Sequence, residues 1–117
     1  MESFKFKVNV GDEDKVYLIL NGVDITCLSS APIYVMNAKK SIISVADGTE
    51  NNITDGKNYV FEDTCTDEPN AAIFSKGDLI FIDNGLLTVN ANYNNGIISK
   101  DDLKKCEWVY FNKEVSI

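Results

Sequence analysis

An internal repeat limits the folds that this chain can adopt. Residues 70–79 (NAAIFSKGDL) recur 24 residues later as residues 94–103 (NNGIISKDDL), and six of the ten positions are identical. Residues 31–34 (APIY) resemble residues 71–74 (AAIF), with an aromatic residue after the isoleucine in both. Repeats of this length stack on one another and bury a core only against their neighbours. We therefore expect residues 70–79 to lie directly beneath residues 94–103.

The segments between turns have the composition of short β-strands. Residues 16–20 (VYLIL), 41–45 (SIISV) and 79–82 (LIFI) are apolar, and each runs into Asn, Asp or Gly residues that favour turns. No stretch keeps the apolar spacing of a helix. The chain is predicted to be all-β, and strands repeating with a period near 24 predict a parallel β-helix of about four coils. A β-sandwich does not explain the repeat, and the L-x-x-L-x-L pattern of a leucine-rich repeat is missing.

The length of 117 residues predicts one domain. Residues 48–69 interrupt the array, so we expect an insertion loop there. Residues 105–117 leave the repeat and form a divergent, aromatic-rich tail, which predicts an incomplete β-helix. The aromatic residues of the tail, Trp108, Tyr110 and Phe111, either cover the open end of the last coil or bind sugar. Uncapped coils also predict end-to-end self-association.

The composition excludes some classes of partner. The net charge is −7 and the chain contains no Arg, so it lacks the clustered basic residues that a nucleic-acid surface or an anionic membrane requires. The acidic balance suits divalent cations. The N-terminus lacks the pattern of a secretion signal, which taken alone indicates a cytoplasmic protein. The three cysteines, Cys27, Cys65 and Cys106, are far apart, and we expect them to be small buried apolar residues.

Five segments follow one another in an order that is typical of a known family. These segments are residues 16–25 (VYLILNGVDI), 31–35 (APIYV), 46–56 (ADGTENNITDG), 68–79 (EPNAAIFSKGDL) and 87–103 (LTVNANYNNGIISKDDL). The region from about residue 8 to residue 104 resembles the bacterial, clostridial carbohydrate-binding-domain family of pectate-lyase-like β-helix proteins. The resemblance implies a right-handed single-stranded parallel β-helix with bound calcium. It also implies binding of cellulose-type and acidic, pectin-like polysaccharide without established cleavage, outside the cell or at its surface. The sequence lacks the family's secretion signal and later coils, so we expect an internal or truncated fragment.

Aspartates at one edge of the repeat are the first candidate metal ligands. Asp78 and Asp102 occupy equivalent repeat positions, and Asp101 precedes Asp102. Successive coils lie about 4.8 Å apart, so stacked carboxylates repel one another unless a cation intervenes. Calcium takes oxygen ligands, and amide oxygens of Asn70, Asn94 and Asn95 would add to such a set. The calcium expectation comes mainly from the resemblance. In the alternative interpretation, Lys76 and Lys100 neutralise these aspartates.

Aromatic residues beside asparagines are the candidate sugar ligands. Aromatic faces suit the apolar side of a pyranose ring, and amides suit its hydroxyl groups. Tyr93 with Asn92, Asn94 and Asn95 has this composition and is expected to be exposed, and Tyr34 is a second candidate. Tyr34 and Phe74 share a repeat position, so they alternatively stack in the core.

The residue types argue against catalysis. The chain has no His to act as a base near neutral pH, and no Arg. A β-elimination lyase would have to use a desolvated lysine, such as Lys76 or Lys100. We therefore expect a non-catalytic carbohydrate-binding protein. The alternatives are a lyase-like enzyme and a truncated remnant that binds no ligand.

Overall fold

The computed structural model describes residues 5–61 and 68–100, together with the backbone of two short strands at 103–104 and 109–111. These residues form twelve β-strands, and no described segment is a helix that could cross a membrane. The strands are β1 (Phe6–Asn9), β2 (Lys15–Leu20), β3 (Asp24–Cys27), β4 (Ile33–Asn37), β5 (Lys40–Val45), β6 (Glu50–Asp55), β7 (Ala71–Ser75), β8 (Asp78–Ile82), β9 (Leu86–Asn90), β10 (Asn95–Ser99), β11 (Leu103–Lys104) and β12 (Val109–Phe111).

Every third strand joins the same sheet. The first sheet has the order β1-β4-β7-β10, the second β2-β5-β8-β11 and the third β3-β6-β9-β12. All pairs of neighbouring strands are parallel. Three consecutive strands therefore make one coil, and four coils follow one another along the chain. The prediction of an all-β, parallel architecture is confirmed.

The register of the strands follows the sequence repeat. Ile97 lies beside Ile73 and Ser99 beside Ser75, 24 positions apart, and Leu103 lies beside Leu79. The predicted stacking of residues 70–79 beneath residues 94–103 is therefore confirmed. The weaker similarity between residues 31–34 and 71–74 also reflects register, because Ile33 pairs with Ile73 and Tyr34 with Phe74.

The interruption of the array is shorter than the sequence indicated. Strand β6 lies within the expected insertion of residues 48–69, and it pairs in parallel with β3 and β9. Its sequence, ENNITD, does not have the apolar composition of a core strand, because polar Asn51 and Asp55 face inward on either side of Ile53. The extra residues lie between Asp55 and Ala71. Part of the tail expected at 105–117 also joins the array, since Val109–Phe111 pairs with Leu87–Val89.

The core consists of rows of apolar side chains that run from coil to coil. One row in each sheet is fully buried over the middle coils, and a buried Ile or Leu contributes roughly 1.5–3 kcal/mol. These rows are Ile33-Ile73-Ile97 in the first sheet, Ile43-Phe81 in the second and Ile53-Val89 in the third. Cys27 is also buried, as expected, whereas Cys65 and Cys106 lie outside the described residues.

Asn51 is a polar residue of the interior that has all its hydrogen bonds. Only 1% of it is exposed, and it is the second residue of β6, next to the turn between the second and third sheets. Its Oδ1 accepts from the backbone N–H of Gly22 at 2.8 Å and of Val23 at 2.9 Å. Its Nδ2 donates to the Leu86 carbonyl at 3.2 Å and to Thr49 Oγ1 at 3.0 Å. One side chain therefore joins three consecutive coils.

Turns between sheets bring the backbones of adjacent coils into close contact. Gly77 connects β7 to β8, and a Cβ atom there would lie 2.1 Å from the carbonyl oxygen of Ala38 in the coil below. The N–H of Asp78 donates to the Lys39 carbonyl at 3.2 Å across the same junction. Only glycine leaves enough space for this approach.

Candidate functional site

The outer face of the third sheet carries a ladder of polar side chains. Ile25, Ile53 and Val89 face the core, so the residues next to them along each strand face outward. In register these outward residues form two rows, Asp24-Asn52-Thr88 and Thr26-Thr54-Asn90. Asn90 Nδ2 donates to Thr54 Oγ1 at 3.2 Å across the rungs. The sheet therefore presents hydroxyl, amide and carboxylate groups about 4.8 Å apart.

The chain leaves the third sheet for the first sheet at a corner that we call the third corner. Its described residues are 28–32, 56–61, 68–70 and 91–94. The segment 56–61 lies against the coil below, because the Val60 N–H donates to the Ser29 carbonyl at 2.7 Å. The interruption of the repeat is thus packed onto the array in this part.

A buried carboxylate organises the third corner. Asp55, 1% exposed, accepts from the backbone N–H of Asn92 at 2.5 Å and from the hydroxyl of Tyr59. Asn92 Nδ2 in turn donates to the Asp55 carbonyl at 2.7 Å. Burial raises the pKa of Asp55 above its ordinary value of 3.8, against the lowering effect of these hydrogen bonds. Burial and the adjacent Asp55 also raise the pKa of Tyr59, so its hydroxyl stays protonated as a donor.

Three aromatic rings cluster beside this carboxylate. Tyr59 stacks on Tyr93 with ring centroids 4.2 Å apart and an interplanar angle of 16°. The ring of Phe61 is edge-on to Tyr93, with centroids 6.2 Å apart, and tilted against Tyr59, with centroids 6.1 Å apart. All three rings are half-buried. Tyr93, which was expected to be exposed, therefore has one face covered by another residue of the chain.

A groove lies between the polar ladder and the third corner. Its volume is about 480 Å³, and it contains hydroxyl, amide, carboxylate and ammonium groups beside the apolar side chain of Leu28, which is 51% exposed. The groove is lined by Asp24, Thr26, Leu28, Thr54, Asp55, Gly56, Lys57 and Asn92. A mixture of hydrogen-bonding groups and apolar surface suits a ligand with many hydroxyls and apolar C–H faces.

Comparison with known proteins identifies the family. A family model described as "Carbohydrate-binding domain-containing protein" matches residues 1–107. The chain belongs to this family. A carbohydrate-binding domain-containing protein of Acetivibrio thermocellus is 50% identical over 97 residues, which is 83% of this chain and 34% of the relative. The gadolinium derivative of a polysaccharide lyase-like protein from C. thermocellum superposes with a TM-score of 0.84 at 48% identity, over 86% of this chain and 41% of the other. This family member thus spans less than half the length of these two relatives.

The structure places the predicted sugar ligands of this family member in two regions. Asn92 lines the groove and Tyr93 follows it in the third corner, with Asn94 exposed and Asn95 at the start of β10. Tyr34 lies apart, on the outer side of the first sheet. It is 6% exposed and edge-on to Phe74 at 5.7 Å. The ammonium groups of Lys5 and Lys7 lie over its ring at 5.8 and 6.0 Å.

The predicted metal ligands are not brought together among the described residues. Asp101 and Asp102 lie outside the described residues. Asp78 begins β8 beside Lys40, whereas Asn94 and Asn95 stand at the far end of the first sheet. A strand of five residues spans about 16 Å, which separates these two groups. No group of three His, Cys, Asp or Glu residues that could hold a metal ion occurs in the described ranges.

Charged and polar side chains lie at the ends of β7 and β10. Lys76 and Lys100 share the carboxylate of Glu68, at 3.5 and 3.3 Å. The lysines that were expected to neutralise the aspartates thus both bind a glutamate from the third corner. At the opposite end of β7, Asn70 Oδ1 is buried and has no hydrogen-bond partner among the described residues.

Sequence reasoning missed Asp55, Tyr59 and Phe61, which together complete the third corner. They lie in the segment that was interpreted as an insertion, and no repeat position indicates their contacts. The pattern Lys57-Asn58-Tyr59-Val60-Phe61 was the available signal, because two aromatic residues in a polar loop indicate that the loop packs against something.

Proposed function

We propose that this family member binds a polysaccharide, cellulose-like or acidic and pectin-like, in the groove beside the third corner, without cleaving it. The proposal is carried by one observation, which is the row of hydroxyl and amide groups along an open groove in a carbohydrate-binding family. Thr26, Thr54 and Asn92 would bond sugar hydroxyls, and Leu28 would meet the apolar side of a ring. Binding would take place outside the cell or at its surface.

In this proposal the coils wind as a right-handed parallel β-helix, which gives the groove a straight floor of stacked rungs. The recurrence of every third strand in the same sheet supports this winding. The TM-score of 0.84 against a polysaccharide lyase-like protein supports it further. Right-handed connections are also the strong preference for parallel strands of one sheet.

We also propose that calcium assists the binding of acidic sugars. A calcium ion takes six to eight oxygen ligands, including amide oxygens. The buried Asn70 Oδ1, which has no hydrogen-bond partner in the described part of the chain, is one candidate oxygen at the start of β7, close to Asn94 and Asn95. Asp78, Asp101 and Asp102 would form a separate set after the first sheet. Bound calcium would supply positive charge for carboxylates of the ligand.

The test of the groove compares two threonines on the same outer face. Thr26→Val removes a hydroxyl that lines the groove, and Thr88→Val removes one from the same ladder outside the groove. We expect Thr26→Val to weaken binding of cello-oligosaccharides or oligogalacturonates by about tenfold, as measured by calorimetry. Thr88→Val should bind like the unmodified protein. Equal affinities for the two variants would place the ligand elsewhere.

The calcium proposal has its own measurement. Retention on polygalacturonate should fall when EDTA is added and return with excess calcium, whereas retention on cellulose should not change. Thermal unfolding without polysaccharide would report calcium binding separately, because a bound ion raises the midpoint temperature of unfolding. An EDTA-insensitive midpoint together with EDTA-insensitive retention would contradict a calcium site.

A β-elimination lyase is the second candidate, since the solved relative is described as lyase-like. Among the residues that the structure describes, Lys57 is the ammonium group that lines the groove. A lysine acts as a base when it is desolvated, and Lys57 is exposed, which favours binding over catalysis. Absorbance from unsaturated uronate ends, after addition of pectate and calcium, would instead establish the enzyme.

We further propose that copies of the chain associate end to end. The first coil leaves an apolar pocket of about 290 Å³ lined by core-facing residues that include Leu18, Leu20 and Ile25. Phe6, which continues the core row of Ile33, is 40% exposed there. Strands β1, β2 and β3 are also edge strands of their sheets. A second copy would cover the pocket and pair with these edges.

A further inference from the structure

The ring of Tyr59 covers one face of the ring of Tyr93. The two rings are nearly parallel, with an interplanar angle of 16° and centroids 4.2 Å apart. A pyranose ring also binds an aromatic residue by laying its apolar C–H face on the ring. Tyr93 follows Asn92, which lines the groove, so an oligosaccharide that extends past Asn92 would reach this ring next.

Among the described residues, contacts at the hydroxyl and at one side hold the covering ring. Its hydroxyl donates to the carboxylate of Asp55, and the ring of Phe61 lies tilted beside it, with centroids 6.1 Å apart. The next residue, Val60, is anchored through its N–H to the Ser29 carbonyl, while its own side chain is 74% exposed. The ring of Tyr59 is thus tethered at its hydroxyl end and at the backbone beside it, and it is only half-buried.

We propose that Tyr93 is an aromatic subsite for a pyranose ring, and that Tyr59 fills this subsite until a sugar displaces it. This inference rests on the proposed carbohydrate-binding function and names a second contact point for the same ligand. The Asp55 carboxylate acts as a positioning group, because it holds Tyr59 over Tyr93 without contacting the sugar on that ring.

Self-occupation lowers the apparent affinity in a calculable way. The observed dissociation constant equals the intrinsic constant divided by the fraction of molecules in which Tyr93 is uncovered. If Tyr59 covers the ring in about 90–99% of molecules, the apparent affinity for a long oligosaccharide falls roughly 10- to 100-fold. Short ligands that fill only the groove would be unaffected.

The test removes the covering ring and compares ligands of two lengths. Tyr59→Ser should bind cellohexaose at least about tenfold more tightly than the unmodified protein, while cellobiose affinity stays the same. Phe61→Ser is the matched control, because it removes an aromatic ring from the same cluster and leaves the face of Tyr93 covered. It should show no gain. The double variant Tyr59→Ser with Tyr93→Ser should lose the gain.

The outcomes separate this inference from the proposed function. No binding of any oligosaccharide by the unmodified protein or the variants would overturn both. Binding by the unmodified protein with no gain in Tyr59→Ser would overturn the inference alone and make Tyr59 a structural brace. If Tyr59→Ser does not fold, Tyr59→Phe decides, since it keeps the ring and loses the bond to Asp55. A gain in cellohexaose affinity supports displacement, and an unchanged affinity overturns it.

Discussion

At the scale of single residues, the buried side chains of Asn51 and Asp55 form hydrogen bonds with the backbone of neighbouring coils. Asn51 makes four hydrogen bonds that reach the coils on both sides, so its loss leaves buried backbone groups without partners. We expect Asn51→Ala to lower the free energy of unfolding by about 2–4 kcal/mol in urea titrations. Asn52→Ala is the control, because Asn52 is the next residue of β6 and faces outward. Similar losses in the free energy of unfolding for both variants would contradict this role of Asn51.

Asp55 gives stability a dependence on pH whose sign follows from its raised pKa. The folded state holds the proton more tightly than the unfolded state, so the carboxylate destabilises the fold over the pH window that begins near the ordinary pKa of 3.8 and extends above it. Asp55→Asn cannot ionise. The variant should therefore gain stability relative to the unmodified protein as pH rises through that window, as measured by thermal melts at several pH values. A difference between the two proteins that stays constant with pH would contradict the assignment.

Sequence analysis singled out Asn92 and Tyr93 but missed the residues that contact them, and the reason is physical. Asn92 and Tyr93 stand out because an aromatic residue among asparagines has few structural explanations. Their partners, Asp55 and Tyr59, lie more than thirty positions away, and Asp55 is 37 positions from Asn92. No periodicity connects a loop residue to a distant turn, so this contact could be seen only in the folded chain.

At the scale of elements, the turn glycines determine how closely the coils approach. Gly77→Ala would place a Cβ atom against the Ala38 carbonyl at 2.1 Å and the Lys39 carbonyl at 2.9 Å. Both atoms belong to backbone, so relief requires a shift of the whole turn. We expect a loss of roughly 2–4 kcal/mol in the free energy of unfolding. Gly11→Ala is the control, since a Cβ there meets only the flexible side chain of Asp14 at 2.8 Å. A smaller loss in Gly77→Ala than in Gly11→Ala would refute the argument.

The strands were predictable where an apolar run ends at turn residues, as in β2, β5 and β8. Strand β6 was missed because its inward positions include the polar residues Asn51 and Asp55, so it does not contain an apolar run. Those two residues are tolerated inside because their hydrogen bonds are satisfied locally at the turns. Elements with a polar interior are thus the ones that pattern analysis loses.

At the scale of the whole molecule, the described residues of the first coil and Ile33 line an apolar pocket at that end of the stack. Phe6→Glu places a charge in the apolar pocket there, which opposes the docking of another copy. We expect sedimentation velocity to show association that grows with concentration in the unmodified protein and is reduced in Phe6→Glu. Val60→Glu is the matched control, because its side chain is 74% exposed in the third corner. A monomer at every concentration would contradict end-to-end association.

The 24-residue register carries a consequence for how such a molecule can grow. Ala71 lies beside Asn95, so residues 71–94 form one translational unit of the architecture. A tandem copy of this unit would lengthen all three sheets together and leave every existing neighbour unchanged. The loop at 56–61 departs from a corner without disturbing the strands on either side. The number of coils and the length of a corner segment are therefore independent variables, one adjusted by duplication of the repeat and the other by insertion between two strands.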